Sequence, residues 1–181
     1  FLITSVATLR ERTSGTLERL MTMPIKKTEF ICAYAIAFCI LGTIQAVVAG
    51  LASIYIFGLE TGGKTVAVIG IAILDSILGT ALGLLASSLA RTEFQAVQFM
   101  PVVLIPQFLL GGFIVPRDSL PSFLNFLSDL MPLSYSVDAL SEVFRQGTNL
   151  HSGYMNNVLV VLLISVIALA LGGLTLRRSS K

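Results

Sequence analysis

Charge is scarce in this sequence. Of its 181 residues only 12% are Asp, Glu, Lys or Arg, against 55% hydrophobic, and the mean hydropathy is +0.88. A soluble domain does not carry so apolar a composition, and the charges are missing from whole stretches. Phe30 to Phe57 has none, Val66 to Ala90 has Asp75 alone, Phe94 to Val115 has none but holds Pro101 and Pro106, and Val158 to Leu176 has none. A membrane-spanning helix needs about 20 apolar residues, so these runs predict four spans, the third broken or kinked at its prolines. The first run is too long for the apolar region of a signal peptide, about 7–15 residues. Cysteine is equally sparse: Cys32 and Cys39 are the two present, on one helical face of the first span. They offer neither metal-ligand spacing nor a disulfide framework and read as small packing residues. An initiator Met is also missing. Phe1-Leu2-Ile3-Thr4-Ser5-Val6-Ala7 reads as the last turns of a span begun upstream, so the expected organisation is one transmembrane domain over residues 1–181, truncated at its N-terminus.

What charge there is gathers next to the spans. The stretch Arg10 to Pro24 concentrates Arg10, Glu11, Arg12, Glu18 and Arg19 just before the first span, and reads as a short capped helix ended by Pro24, a cytoplasmic handle on which a soluble partner can push. Arg10, Arg12, Arg19, Lys26, Lys27, Arg91, Arg177, Arg178 and Lys181 fall on one side of the four spans, and only Lys64, Arg117 and Arg145 on the other. Basic residues beside span ends mark the cytoplasmic side, so both ends of the chain are expected inside. The net charge of +2 is that bias rather than a nucleic-acid signal.

Two places look like chemistry. Gly58-Leu59-Glu60-Thr61-Gly62-Gly63-Lys64-Thr65 fits the phosphate-loop pattern, and Asp75 follows at the end of an apolar run. That loop needs a short strand before it, an amphipathic helix after it and the Asp on a separate strand. Here the flanking runs are spans and the Asp lies inside one of them, so the segment reads as a Gly-rich turn joining two spans. Asp75 itself is the one acidic residue inside a span. Insertion scales put its cost at about 2.5–3.5 kcal/mol, which directs such a residue to a bundle interior or a water-filled path. It shares a helical stripe with Gly79, Gly83 and Ser87, and Gly79-x-x-x-Gly83 lets helices approach closely. Two readings stand: an interhelical contact, or a substrate-path or proton-linked carboxylate, with Gln98 and Gln107 as milder candidates for the same path.

The outer loop, residues 116–157, is patterned. Phe123, Leu124, Leu127, Leu130 and Met131 recur at helical spacing, with Ser122, Asn125, Ser128 and Asp129 opposite. Asp118 or Ser119 is expected to cap this helix, over Pro121–Met131, and Pro132 to end it. A second helix, Ser134–Gln146, places Leu140, Val143 and Phe144 on one face and stops at Gly147. Both follow a span weakened at Pro101, Pro106, Gly111 and Gly112, and read as re-entrant or interfacial helices over an outer gate, with Phe123 and Leu127 on the exit surface.

These parts resemble a known family. Glu11-Arg12-Thr13-Ser14-Gly15-Thr16-Leu17-Glu18-Arg19-Leu20-Met21-Thr22-Met23-Pro24 resembles the E-R-x-x-G-T-x-E-x-L-x-x-x-P signature of type-2 ATP-binding-cassette permeases. Leu109-Leu110-Gly111-Gly112-Phe113-Ile114-Val115-Pro116, then Leu120-Pro121, then Met131-Pro132-Leu133-Ser134-Tyr135-Ser136-Val137-Asp138-Ala139-Leu140 resembles their second signature, above all in the daunorubicin-type drug exporters. The sequence departs from it at Gly112 and Arg117.

The resemblance implies an all-α polytopic helix bundle, the last four spans of a six-span permease. It implies a coupling helix within residues 10–24, with Glu11, Arg12, Gly15, Thr16, Leu17, Glu18, Arg19, Leu20 and Met21 against a separate ABC ATPase subunit that binds the ATP. No catalytic residue, cofactor or metal is expected in this chain. The remaining implied partners are a second permease copy, identical or related, and membrane lipid. The expected function is export of an amphipathic, drug-like or lipid-linked compound across the bacterial inner membrane. The alternative is a proton-linked carrier or membrane-embedded enzyme built on Asp75.

Overall fold

A computed structural model of the chain describes residues 1–14, 27–62, 64–145 and 152–175. Among them seven α-helices form a bundle: α1 (Leu2–Thr13), α2 (Lys27–Tyr55), α3 (Thr65–Leu89), α4 (Glu93–Leu110), α5 (Ser122–Asp129), α6 (Pro132–Arg145) and α7 (Ser152–Thr175), with a 3-10 turn at Arg117–Ser119. Four of them, α2, α3, α4 and α7, are long and apolar enough to cross a membrane. They correspond one to one with the four charge-poor runs, and the protein is a polytopic helical membrane bundle.

Large apolar residues cover much of the outside, and the interior mixes apolar side chains with small polar ones. Large apolar side chains point outward along α2 (Ile36, Ile40, Ile44, Val48), α4 (Val102, Ile105, Phe108) and α7 (Leu159, Leu163, Val166). Small polar ones are buried: Thr4, Ser5, Thr8, Thr80, Ser87, Ser128, Ser134, Ser136 and Ser165. Lipid gives an outward Leu no reason to hide, so helices associate through close packing of small residues and through interhelical hydrogen bonds.

The hub is α3, packed by α1, α2, α6 and α7. Three apolar clusters are strung along it. Val68 and Ile71 pack with Ala139 and Val143 of α6, Leu74 and Leu78 with Val161 of α7, and Ala90, just past its end, with Leu9 of α1 and Ala96 of α4. Glycines sit at the crossings. A Cβ on Gly83 would lie 2.6 Å from the carbonyl oxygen of Phe1 and 2.9 Å from Cβ of Thr4, and one on Gly42 of α2 would lie 3.0 Å from Oγ of Ser76. The stripe Gly79, Gly83, Ser87 is thus the seat of α1, with Asp75 one turn beyond.

Three expectations are corrected. The third span is neither broken nor ended at its prolines: α4 runs through Pro101 and Pro106 and stops at Gly111. In lipid, neighbouring groups re-satisfy backbone freed by proline, whereas Gly112 adopts φ +89°, which no side-chain-bearing residue takes cheaply. The helix expected over Pro121–Met131 covers Ser122–Asp129, preceded by Pro121 without a side-chain cap. Ser119 lies in the separate 3-10 turn. Pro132 opens α6 instead of closing α5, because proline at the first helical position loses no hydrogen bond. Gln146, Gly147 and His151 fall outside the described residues.

The close approach at Gly83 sets a test. Gly83→Ala is expected to destabilise the folded permease by about 1–3 kcal/mol through overpacking. Gly70→Ala on the same helix, where an added Cβ meets nothing within 4 Å, should not. Thermal unfolding in detergent compares them, and equal midpoints for the two variants would refute the seat.

Candidate functional site

The polar groups of the bundle fall into three places along α3. At the Arg91 end, α1 finishes with Arg10 and Arg12 in its last turn, where cations suit the exposed carbonyls of a helix C-terminus. Arg12 turns across and donates from a guanidinium nitrogen to the backbone carbonyl of Ser87, 2.5 Å away on α3. Glu11 lies beside Tyr34 of α2. The end of α1 is therefore fastened to α3 and faces α2. Of the expected coupling residues, Gly15, Thr16, Leu17, Glu18, Arg19, Leu20 and Met21 lie outside the described residues.

Near the middle of α3, Asp75 accepts a hydrogen bond from the hydroxyl of Ser136 on α6. Its other side borders a cavity of about 830 Å³ between α1, α2 and α3, whose polar lining includes Gln45, Ser76 and Thr80. Gln98 and Gln107 are not part of it. Gln98 is exposed on α4. Gln107 is buried, donates through its side-chain amide to the Val103 carbonyl at 3.0 Å, and accepts from the Leu133 amide at 3.4 Å. It ties α4 to the start of α6.

At the Lys64 end, α6 climbs α3. Ser136 is level with Asp75, Ala139 and Val143 pack on Ile71 and Val68, and Lys64 donates to the Val143 carbonyl at 2.9 Å. So α6 begins level with the middle of α3. The lysine of the phosphate-loop look-alike is engaged at the end of a helix, in a turn where Gly58 and Gly62 take positive φ.

A second polar knot closes the turn after α4. Arg117 pairs with Asp129 of α5 and with Asp138 of α6, and lies 5.7 Å over the Tyr135 ring. The Tyr135 hydroxyl donates to the Asp129 carbonyl at 2.8 Å. Ser128 donates to the Leu110 carbonyl at 2.7 Å and stands 3.1 Å from the Ser134 hydroxyl. Helix α5 therefore turns Ser128 fully inward, with Leu124 and Asn125 partly covered beside it, while Phe123, Phe126 and Leu130 are more than half exposed. Leu127 is partly covered.

Sequence reasoning had named neither Ser136 as the partner of Asp75 nor Asp129 and Asp138 as partners of Arg117. The available signal was the row of hydroxyls Ser128, Ser134 and Ser136 in a chain whose apolar side chains point outward.

Residues 1–144 match the family model described as ABC-2 type transporter. The chain belongs to the ABC-2 type transporter family. Among curated relatives, "Probable multidrug ABC transporter permease YbhS" of Escherichia coli K12 is 29% identical over 169 residues, covering 93% of this chain and 42% of that protein. "Probable multidrug ABC transporter permease YbhR" of the same organism is 26% identical over 149 residues, 82% of this chain and 40% of that protein. "Linearmycin resistance permease protein LnrN" of Bacillus subtilis is 24% identical over 140 residues, 77% and 36% respectively. This ABC-2 chain thus spans less than half the length of these relatives. No solved structure matches it.

The matched region takes in both polar knots. Arg117→Ala is expected to speed amide exchange across residues 117–135, since one guanidinium joins three segments. In that background Asp129→Asn and Asp138→Asn should add little, because the interactions share one partner. Hydrogen exchange read by mass spectrometry measures this, and full additivity would show that the knot does not act as a unit.

Proposed function

We propose that this chain provides spans of the permease subunit of an ATP-driven exporter in a bacterial inner membrane, with ATP bound and hydrolysed on a separate ABC ATPase subunit. The observation that carries the reading is the family match over residues 1–144, which contains the charged 10–24 signature. Two features support the coupling role of that signature. It leads out of α1 directly past Arg12, and Arg12 is bonded to α3. A push on residues 15–23 then moves α1 and, through it, the hub helix.

The cargo we propose is an amphipathic, drug-like or lipid-linked compound. The names of the relatives YbhS and LnrN support this class, as does a path bordered by an apolar cavity and the outward apolar side of α5. A second permease copy, identical or related, completes the path, and lipid covers the rest. The distribution of Lys and Arg supports an orientation with Arg91 and Lys181 inside, and Lys64 and the segment with His151 outside. An enzyme built on Asp75 is less well supported: its neighbours are hydroxyls and an amide, with no second acid or base beside it among the described residues to share a proton-transfer step.

Charge reversal tests the coupling. Glu18→Lys should leave the permease in the membrane yet abolish both ATPase co-purification and export. Survival of both activities would sink the assignment. Orientation is checked separately by single-cysteine labelling with a membrane-impermeant reagent in a Cys32/Cys39-free background. Position 64 should label from outside intact cells and position 91 should not.

A further inference from the structure

Helix α6 meets the hub α3 at three successive levels. Lys64 holds the Val143 carbonyl, Val68 and Ile71 interlock with Ala139 and Val143, and deepest, Asp75 accepts from Ser136. The apolar level makes the two helices adhere, but its contacts are not directional. A carboxylate–hydroxyl bond is directional, and in a low-dielectric interior breaking it leaves a polar group without a partner. It fixes the height of α6 on α3. Two residues further along α6, Asp138 holds Arg117, which holds Asp129 of α5. At the opposite end of the same hub, Arg12 holds the Ser87 carbonyl, and Gly83 seats α1 at near-contact distance.

We infer that the Asp75–Ser136 hydrogen bond is a clasp that makes α3 and α6 one moving body, so that a displacement of α1 at the cytoplasmic end arrives at α5 and the turn after α4. In this account, which rests on the proposed ATP-driven permease, Asp75 and Ser136 are positioning residues. The carboxylate serves as a hydrogen-bond acceptor, not as a charge that binds cargo or carries a proton. That distinction gives opposite outcomes for variants that keep the bond and lose the charge or its place.

The experiment uses the full-length permease assembled with its ATPase in liposomes, free of Cys32 and Cys39, carrying an environment-sensitive fluorophore at Phe126→Cys on the exposed side of α5. The reading is the ATP-driven fluorescence change per ATP hydrolysed, which needs no knowledge of the cargo. Ser136→Ala and Asp75→Leu should each lower it about threefold, the factor an interhelical hydrogen bond of average strength in a membrane corresponds to, and the double variant should be no worse than either. Asp75→Asn, which still accepts from Ser136, should stay close to the parent. The exchange D75S/S136D, which restores the bond with the partners swapped, should recover most of the signal. Should Asp75→Leu fail to assemble, Ser136→Ala and the exchange carry the test. Loss in Asp75→Asn equal to that in Asp75→Leu, or an undiminished signal in Ser136→Ala, overturns the clasp while leaving the permease reading intact. A parent complex that hydrolyses ATP with no change at position 126 overturns the transmission itself, and one that neither binds nor needs an ATPase overturns the permease reading first.

Discussion

A span enclosed by other spans has room for few large side chains, and that constraint on α3 organises the whole bundle. Four helices reach it, and where they cross most closely the side chain is missing or small: Gly83 under α1, Gly42 of α2 over Ser76, Gly172 of α7 against the backbone of Leu84 and Leu85. Close approach gives dispersion contacts that lipid cannot match, and it brings backbone carbonyls such as that of Ser87 within reach of a neighbour's guanidinium. The bond from Arg12 depends on that proximity: without Gly83 under α1, its guanidinium would be held too far from the Ser87 carbonyl.

The interior is accordingly held by hydroxyls. Ser128, Ser134 and Ser136 each find an oxygen of another segment, and the individual worth of such bonds in a membrane is modest, around 0.6 kcal/mol on average. Their value lies in specifying which face of each helix turns inward. A bundle made only of Leu and Ile would be greasy on every side and free to rotate.

Much of this was legible beforehand, for identifiable reasons. The spans were, because a charge-free run of sufficient length has few other fates. So was the stripe Asp75, Gly79, Gly83, Ser87, because small residues at helical spacing mark a contact face wherever they occur, although the helix that would occupy it was not. The two short helices were visible in Pro121–Met131 and Ser134–Gln146, but periodicity says only that one side is apolar. Which part of that side meets protein depends on the surroundings, and α5 turned Phe123 and Leu130 outward while Leu124 and Leu127 are partly covered. Pro132 was misplaced because a proline fits equally after one helix and at the start of the next. The pairing of Asp75 with Ser136 spans 61 positions, and a single sequence carries no record of which distant hydroxyl a buried acid will meet.

One feature of α5 has a mechanical side. The helix is held to the protein by hydrogen bonds through Ser128 and Asp129, and in the proposed permease Phe123, Phe126 and Leu130 meet the bilayer. It behaves like a float moored by short lines: its depth is fixed on one side by geometry and on the other by where the hydrocarbon begins. Mismatch between an apolar surface and the local hydrocarbon thickness costs fractions of a kcal/mol per Å. A thinner or thicker membrane therefore pulls on the mooring, and the strain is delivered through Arg117 and Leu110 to the end of α4. The lipid is in this sense a spring attached to the mouth of the bundle, and its stiffness belongs to the membrane in which the protein sits.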